Sequence, residues 1–482
     1  MAYSHLWTVL SILNYAGVLL AIEHILRTRR EPRGMLAWIL ALLLLPFAGL
    51  ILFLLVGNLP VQRKVRRRRN RRRLIESALA RRSQAVAQEH AAMLSQEVDP
   101  HQNALIHLAT HLGETAVTRG NEVSIYYDGE RMFSDLTAAL EAARHHIHME
   151  YYIFAPDETG RAIRDLIARK AKQGVEVRLL MDAVGSRRIG RQFLAPLREA
   201  GAAVEFFMPW GISSRRLGLN CRNHRKIVVV DGTIGFTGSH NVGDEYLGRR
   251  RKFGPWRDTH LRLRGPSVTQ LQEVFVEDWH FAARHDLSGD PYFPMPDTSG
   301  KATVQIMPTG PDRRPYAMHQ LLLGAAADAK HSICLLTPYF VPDHAMLLAL
   351  QTARLRGMQV QLLVPSRSDH RLVLWAARGC YEELLEAGVE IFEYPHAMLH
   401  SKVMIVDRRW AMVGSANMDE RSFRINWEVS TLLFDRGLAG ELQDDFEQLR
   451  SRAQKMNLQA VRSWTYSEKM LSNMARLATP ML

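Results

Sequence analysis

Apolar and polar positions divide this chain into two long apolar runs, an arginine-dense block and a remainder of short apolar segments alternating with amphipathic ones. Leu6–Ile22 is uncharged over 17 residues and ends at Glu23 and His24; Met35–Val56 carries no ionisable residue over 22. A helix needs about 20 apolar residues to cross a bilayer core, so the second run is long enough and the first lies at the lower limit. Together they predict a membrane hairpin within residues 1–60. The opening MAYSH has no cationic region of the kind a signal peptide carries. Residues 61–119 then read as a basic juxtamembrane segment followed by a polar to amphipathic helical linker.

From residue 120 the pattern repeats. HIHMEYYIF (His146–Phe154) is matched by HSICLLTPYF (His331–Phe340), and GVEVRLLMD (Gly174–Asp182) by GMQVQLLVP (Gly357–Pro365). LREAGAAVEFF (Leu197–Phe207) is likewise matched by LLEAGVEIFEY (Leu384–Tyr394). Short β-branched runs alternating with helical stretches predict an α/β layout with a largely buried sheet in each half. The halves are 120–286 and 301–482, and the Pro/Gly-rich stretch 287–300 is the linker. Tyr and Phe in these strands read as core.

Net charge is +13, but it is unevenly placed. Residues 1–82 hold 15 Lys and Arg against Glu23, Glu31 and Glu76, while the other 400 hold 47 against 46. A nucleic-acid enzyme needs its basic face on the working domain, so a nearly neutral body counts against nucleic acid as substrate. The three cysteines, Cys221, Cys334 and Cys380, form neither a disulfide framework nor a metal-ligand spacing, which favours a reducing compartment.

Each half carries the same polar set at the same spacing: His224, Lys226, Asp231, Gly238, Ser239 and Asn241, then His400, Lys402, Asp407, Gly414, Ser415 and Asn417. His and Lys two residues apart on an extended segment project from one face. Lys, Ser and Asn from two halves would surround a phosphate with donors, and two imidazoles would face it from opposite sides. A neutral imidazole attacks phosphorus and holds the group covalently; an imidazolium opposite protonates the departing alkoxide. Asp258 and Glu428, on strands beyond each GSxN, are the candidates to orient the rings. Asp231 and Asp407, each ending a strand, also suit a turn or an ion pair. The plan needs no metal, and no GxxxxGK[ST] or GxGxxG turn asks for a nucleotide, so no cofactor is expected. The tract His145, His146 and His148 lacks a ligand set at metal spacing.

With its doubled HxKxxxxD motif the chain resembles the phospholipase D superfamily, and more closely the bacterial cardiolipin synthases of the two-span type. The resemblance runs through AWILALLLLPFAGLILFLLVGN (Ala37–Asn58), RNHRKIVVVDG (Arg222–Gly232), TPYFVPD (Thr337–Asp343), LHSKVMIVD (Leu399–Asp407), GSANMDERSFRINWE (Gly414–Glu428) and RLATPML (Arg476–Leu482). It implies two tandem phospholipase D-like α/β sandwich halves with pseudo-two-fold symmetry behind the hairpin. It also implies that two phosphatidylglycerols are joined into cardiolipin with release of glycerol, through a phosphatidyl-histidine and without a metal. Carried onto this sequence, His224 is the nucleophile and His400 the acid and base; Lys226, Asp231, Lys402 and Asp407 complete the motifs, and Ser239, Asn241, Ser415 and Asn417 bind substrate. A hydrolytic phospholipase D, a phosphatidylserine synthase or a nuclease would use the same plan. A non-catalytic membrane adaptor would have lost one of the histidines.

The nine basic residues within Arg63–Arg73 outweigh Arg27, Arg29, Arg30 and Arg33 in the turn, placing the body on the cytoplasmic side of a bacterial inner membrane as a multi-pass protein. Those cations also suit anionic lipid, though four arginines in the turn fit a shallow or re-entrant hairpin better than a translocated loop. The first half has extra length in Phe207–Asn220 and around Arg249, Arg250, Arg251 and Lys252, a mixture of apolar and cationic residues expected of a lipid entrance.

Overall fold

A computed structural model describes residues 2–27, 32–54, 100–208, 221–250, 254–287, 289–477 and 479. The basic run 63–73, all of the first-half insertion but Phe207 and Met208, and Arg251 and Lys252 lie outside the described residues. The chain divides into an N-terminal unit and a body that carries both polar motifs.

In the N-terminal unit helix α1 spans Ala2–Arg27. It outruns the uncharged stretch, and Glu23 and Arg27, one turn apart, form an ion pair of 2.6 Å at its end. At 1.5 Å per residue it extends about 39 Å. The second apolar run differs from its expectation: it breaks into α2 (Pro32–Leu44) and α3 (Ala48–Leu52). Pro46 has no amide proton to continue the ladder, and Phe47 turns at a φ of 60°. Asn14 of α1 takes up the freed donor, its Oδ1 accepting the Phe47 N–H at 3.2 Å. Among the described residues, therefore, α1 is the helix long and apolar enough to cross a membrane, and not the second run. Val18, Ala21, Ile25, Leu42 and Phe53 pack between the helices, while Leu13, Leu19, Leu20, Leu40 and Leu44 face outward. A helix pair apolar on both its inner and outer faces suits lipid rather than water.

The body is built on one sheet. Its first-half strands are β1 (Thr118–Tyr126), β2 (His146–Tyr151), β3 (Glu176–Asp182), β4 (Ala203–Phe207), β5 (Ile227–Val230), β6 (Ile234–Gly238) and β7 (His260–Arg264). The second half supplies β8 (Ala302–Thr309), β9 (Ser332–Leu336), β10 (Gln359–Pro365), β11 (Glu390–Tyr394), β12 (Val403–Val406), β13 (Trp410–Gly414), β14 (Glu428–Leu433) and an edge strand β15 (Gln454–Lys455). Across the sheet they run β15-β11-β10-β9-β12-β13-β14-β8-β1-β7-β6-β5-β2-β3-β4. Read outward from the β8–β1 seam, the two halves follow the same order, which is the pseudo-two-fold symmetry the repeat implies. Instead of two separate sheets, the halves share one, joined where β1 and β8 pair antiparallel with Thr118 opposite Val304. Asn121 pins that seam: its Nδ2 donates to Ala302 O at 3.2 Å and its Oδ1 accepts from Ser267 N at 2.8 Å.

Strands such as β5 (IVVV) and β12 (VMIV) are buried along their whole length, as strands covered on both faces must be. Amphipathic helices supply the cover, several of them capped at the N-terminus by an aspartate. Asp128 accepts from Arg131 N at 2.9 Å and Asp435 from Leu438 N at 2.9 Å, satisfying donors that a helix start leaves unpaired.

Candidate active site

Both motif histidines stand just before an inner strand, His224 before β5 and His400 before β12. The extended backbone puts each lysine on its histidine's side, and the ammonium turns back onto it. Lys226 Nζ donates to His224 O at 2.6 Å; Lys402 Nζ donates to His400 O at 2.6 Å and lies 3.0 Å from His400 Nε2.

The orienting acids are exchanged between halves. His224 Nδ1 lies 3.0 Å from Glu428 Oε2, and His400 Nδ1 lies 2.8 Å from Asp258 Oδ2. Backbone pairing produces the exchange. Met398–Leu399, leading into His400, pairs parallel with Trp256–Arg257, leading into Asp258. In the same way Asn223 bridges Trp427, and His224 N donates to Trp427 O at 2.9 Å. An ionised carboxylate only accepts, so each ring carries its proton on Nδ1 and turns the Nε2 lone pair outward. For His224 the carbonyl of Ser415, 3.0 Å from Nδ1, is a second acceptor that enforces the same tautomer.

Both rings border one cavity of about 390 Å³, whose wall also includes Tyr152, Asn241, Tyr339, Asp369, Asn417 and Arg421. It opens past the carboxyl ends of β2 and β9, the usual crevice of an open α/β sheet. Burial, reinforced by Lys402, lowers His400 to about 4 despite Asp258. Burial lowers His224 as well, with Glu428 opposing and Lys226 adding to it. Desolvation lowers both lysines, to about 7 for Lys226, where the Lys402 charge adds to it, and to about 8 for Lys402, where Asp258 and Glu428 oppose it. Burial pushes Asp258 and Glu428 upward, but the paired histidines and neighbouring lysines more than reverse it and hold both carboxyls below their ordinary range. The site thus presents neutral imidazoles, ionised orienting acids and readily charged lysines to an incoming anion.

Four predicted residues are placed elsewhere than expected. Ser239 Oγ donates to Asp258 and Ser415 Oγ to Glu428 Oε2 at 2.5 Å; both hydroxyls are buried behind the histidines and hold the acids rather than face the cavity. Asp231 and Asp407 sit at the far ends of β5 and β12. Asp231 accepts from the backbone of Arg144, His145 and His146 at 2.7–2.9 Å. Asp407 accepts from Lys330, His331 and Ser332 at 2.6–2.8 Å. Each has a positive φ, 51° and 54°, so these aspartates close a strand turn onto the neighbouring strand and touch no reacting group. Asn241 and Asn417 do border the cavity. Asn241 is committed to Ile153 N at 3.1 Å and Tyr246 Oη at 3.0 Å, whereas Asn417 Oδ1 is buried with no partner among the described residues.

Sequence reasoning missed several participants. Tyr152 packs edge-on to His224 at 4.9 Å, and Trp256 Nε1 donates to Asp258 Oδ2 at 3.1 Å. Ser422 Oγ donates to Glu428 Oε1 at 3.0 Å. Arg225, between the motif's His and Lys, is fully buried; it pairs with Asp278 at 2.5 Å and donates to Glu428 O at 3.1 Å and Thr309 O at 3.0 Å. Tyr152 and Tyr339, read as core, lie just past the ends of β2 and β9, a position at a sheet's carboxyl edge that was the available signal. No group of three or more His, Cys, Asp or Glu in metal-binding arrangement occurs among the described residues.

A family model described as cardiolipin synthase, phospholipase D-like domain, matches twice, at residues 136–279 and 322–450. The chain belongs to the cardiolipin synthase family. A phospholipase D-nuclease N-terminal model matches residues 6–58, across the helical unit. The cardiolipin synthase of Geobacillus kaustophilus is 37% identical over 98% of this chain and 93% of its own length. The major cardiolipin synthase ClsA of Bacillus subtilis is 36% identical over 98% of this chain and 99% of its own. Among solved structures, a phosphatidylserine synthase of Haemophilus influenzae superposes with a TM-score of 0.61 over 79% of this chain and 100% of its own, at 13% identity, a likeness of fold. Within the cardiolipin synthase family, then, this member builds its site from two halves that each complete the other's histidine.

Proposed function

We propose that this chain makes cardiolipin by moving a phosphatidyl group from one phosphatidylglycerol to another, releasing glycerol. The observation that carries the reading is the pair of exchanged histidine–carboxylate contacts on a single cavity. His224 Nε2 attacks the donor phosphorus, forming an N–P bond as the P–O bond to glycerol breaks. His400, charged once the anionic phosphodiester raises its affinity for a proton, delivers that proton to the departing oxygen. The glycerol hydroxyl of the second phosphatidylglycerol then enters, His400 takes its proton, and its oxygen displaces His224 from phosphorus. Lys226, Lys402 and Asn417 supply the positive charge and amide donor that stabilise the five-coordinate phosphorus. Glu428 and Asp258 are positioning residues, while Asp231 and Asp407 secure the turns. The chemistry needs no metal, so chelators leave it unchanged.

The same reading makes residues 1–60 a membrane anchor, 61–119 its basic connection, and 120–286 and 301–482 the paired halves on either side of 287–300. The arginine-rich flank at 63–73 supports a cytoplasmic body. The break at Pro46–Phe47 suits a second pass that enters and returns better than one that crosses. Purified protein given phosphatidylglycerol as its only lipid should yield cardiolipin and equimolar glycerol. Phosphatidic acid as the main product would assign a hydrolase instead, and turnover lost in EDTA and restored by a divalent ion would overturn the metal-free route.

A further inference from the structure

The last helix, Tyr466–Leu477, is turned inside out. Its small residues Ser472 and Ala475 are buried against the body, while Tyr466, Met470, Leu471, Met474 and Leu477 point outward, with exposures of 78% at Tyr466, 62% at Met474 and 83% at Leu477. Positions 466, 470, 474 and 477 fall on one helical face. Five exposed apolar side chains on twelve residues are not what a water-facing helix presents, because each costs hydration that burial would recover.

What this face adjoins indicates its occupant. Arg371–Arg378 is a helix that packs against Tyr466–Leu477. Its Val373 and Ala376 share a cluster with Ala475, and Val373 is also part of the active-site cavity wall. One side chain therefore separates the cavity from the helix that bears the exposed face, and Leu372 beside it is exposed too. Both helices together carry Arg371, Arg378, Lys469 and Arg476 against the single acid Glu468; Arg378 and Arg476 pair with Glu393 and Glu383 at 2.9 and 2.6 Å, so Arg371 and Lys469 are the cations beside the face. We infer that the outward face of Tyr466–Leu477, continued by Leu372, docks into the interfacial layer of an anionic phospholipid bilayer and sets the cavity mouth at the level of the headgroups. The inference rests on the phospholipid reading of the cavity and adds a surface carried by the second half. A shallow apolar face rimmed by cations is the form such contacts take.

The three native cysteines are buried, so a nitroxide can be placed selectively on full-length Met474→Cys protein and, as a control at the strand ends opposite the cavity where Lys330 is exposed, on Lys330→Cys protein, each in phosphatidylglycerol proteoliposomes. The label at 474 should collide more with oxygen than with a water-soluble nickel chelate, and the label at 330 the reverse. A label at 474 open to nickel overturns the inference, as does one shielded from both reagents, which would mean that protein covers the face. Separately, the triple variant Met470→Ser, Met474→Ser, Leu477→Ser should lose about tenfold in rate on bilayer phosphatidylglycerol and nothing on monodisperse short-chain phosphatidylglycerol. Equal losses on both forms, or none on either, would count against it. Should the unsubstituted protein make no cardiolipin at all, the proposed reaction fails, while the nitroxide result still decides the surface.

Discussion

Glu428 lies 204 residues beyond His224 and yet accepts a hydrogen bond from that ring's Nδ1 at 3.0 Å. The reciprocal contact, His400 to Asp258 at 2.8 Å, makes neither half complete without the other. Glu428→Gln should lower turnover by about 10³-fold, because an amide can present a donor and favour the wrong ring tautomer. Adding Glu428→Gln to His224→Ala should cost almost nothing more, since the two act as a unit. Product formation from phosphatidylglycerol measures both; independent losses that multiply would break the pairing.

Arg225 bridges Asp278 and two carbonyls of the second half while fully buried. Arg225→Met leaves Asp278 without its charge partner and should destabilise the body by about 3–5 kcal/mol. Adding Asp278→Leu should recover much of that loss in denaturant unfolding. No recovery would mean that the two carbonyl contacts, rather than the ion pair, dominate.

Asp231 and Asp407 serve turns, so Asp231→Ala should lower the melting temperature through three freed backbone donors, at roughly 1–3 kcal/mol. Activity per folded molecule should stay within about twofold. Asp231→Asn, which tolerates positive φ and keeps one acceptor oxygen, should be milder. A collapse of turnover in a folded Asp231→Ala protein would return this residue to the chemistry.

Stability should fall in mild acid. His146 and His400 titrate at about 4 when folded, and His148 well below its ordinary value, chiefly because burial opposes their charge. Unfolded, each titrates near 6.5, so from about pH 6.5 down to about 4 the unfolded chain binds more protons. Each such histidine then removes up to about 1.4 kcal/mol per pH unit as pH falls, and the contribution is intact above pH 6.5. Thermal unfolding followed by circular dichroism at pH 7.5, 6.5 and 5.5 checks this. A flat melting temperature across that range would show that these rings titrate in the folded protein as they do in the unfolded chain.

Local pattern dictates a large share of the fold and of the candidate site. The doubled polar set, the buried strands and the matched segments predict a two-half α/β body and the two histidines at its centre, because motif spacing and strand periodicity are properties of contiguous residues. The apolar runs predict a helical N-terminal unit for the same reason. The second apolar run is long enough to span by composition but not by structure, because the ring of Pro46 stops a helix that composition would continue.

Pairing between distant segments was beyond that reach. Nothing in the spacing of Asp258 or Glu428 reveals that each serves the other half's histidine; that follows from backbone pairing of Trp256–Arg257 with Met398–Leu399 and of Asn223 with Trp427. Ser239 and Ser415 bear the same hydroxyl whether they face substrate or a carboxylate, and only the fold turns them to the carboxylates. By itself the sequence determined the doubled polar set and the kind of scaffold that carries it. Tertiary structure alone decided which acid holds which ring, because that depends on contacts made after β1 and β8 close the two halves into one sheet.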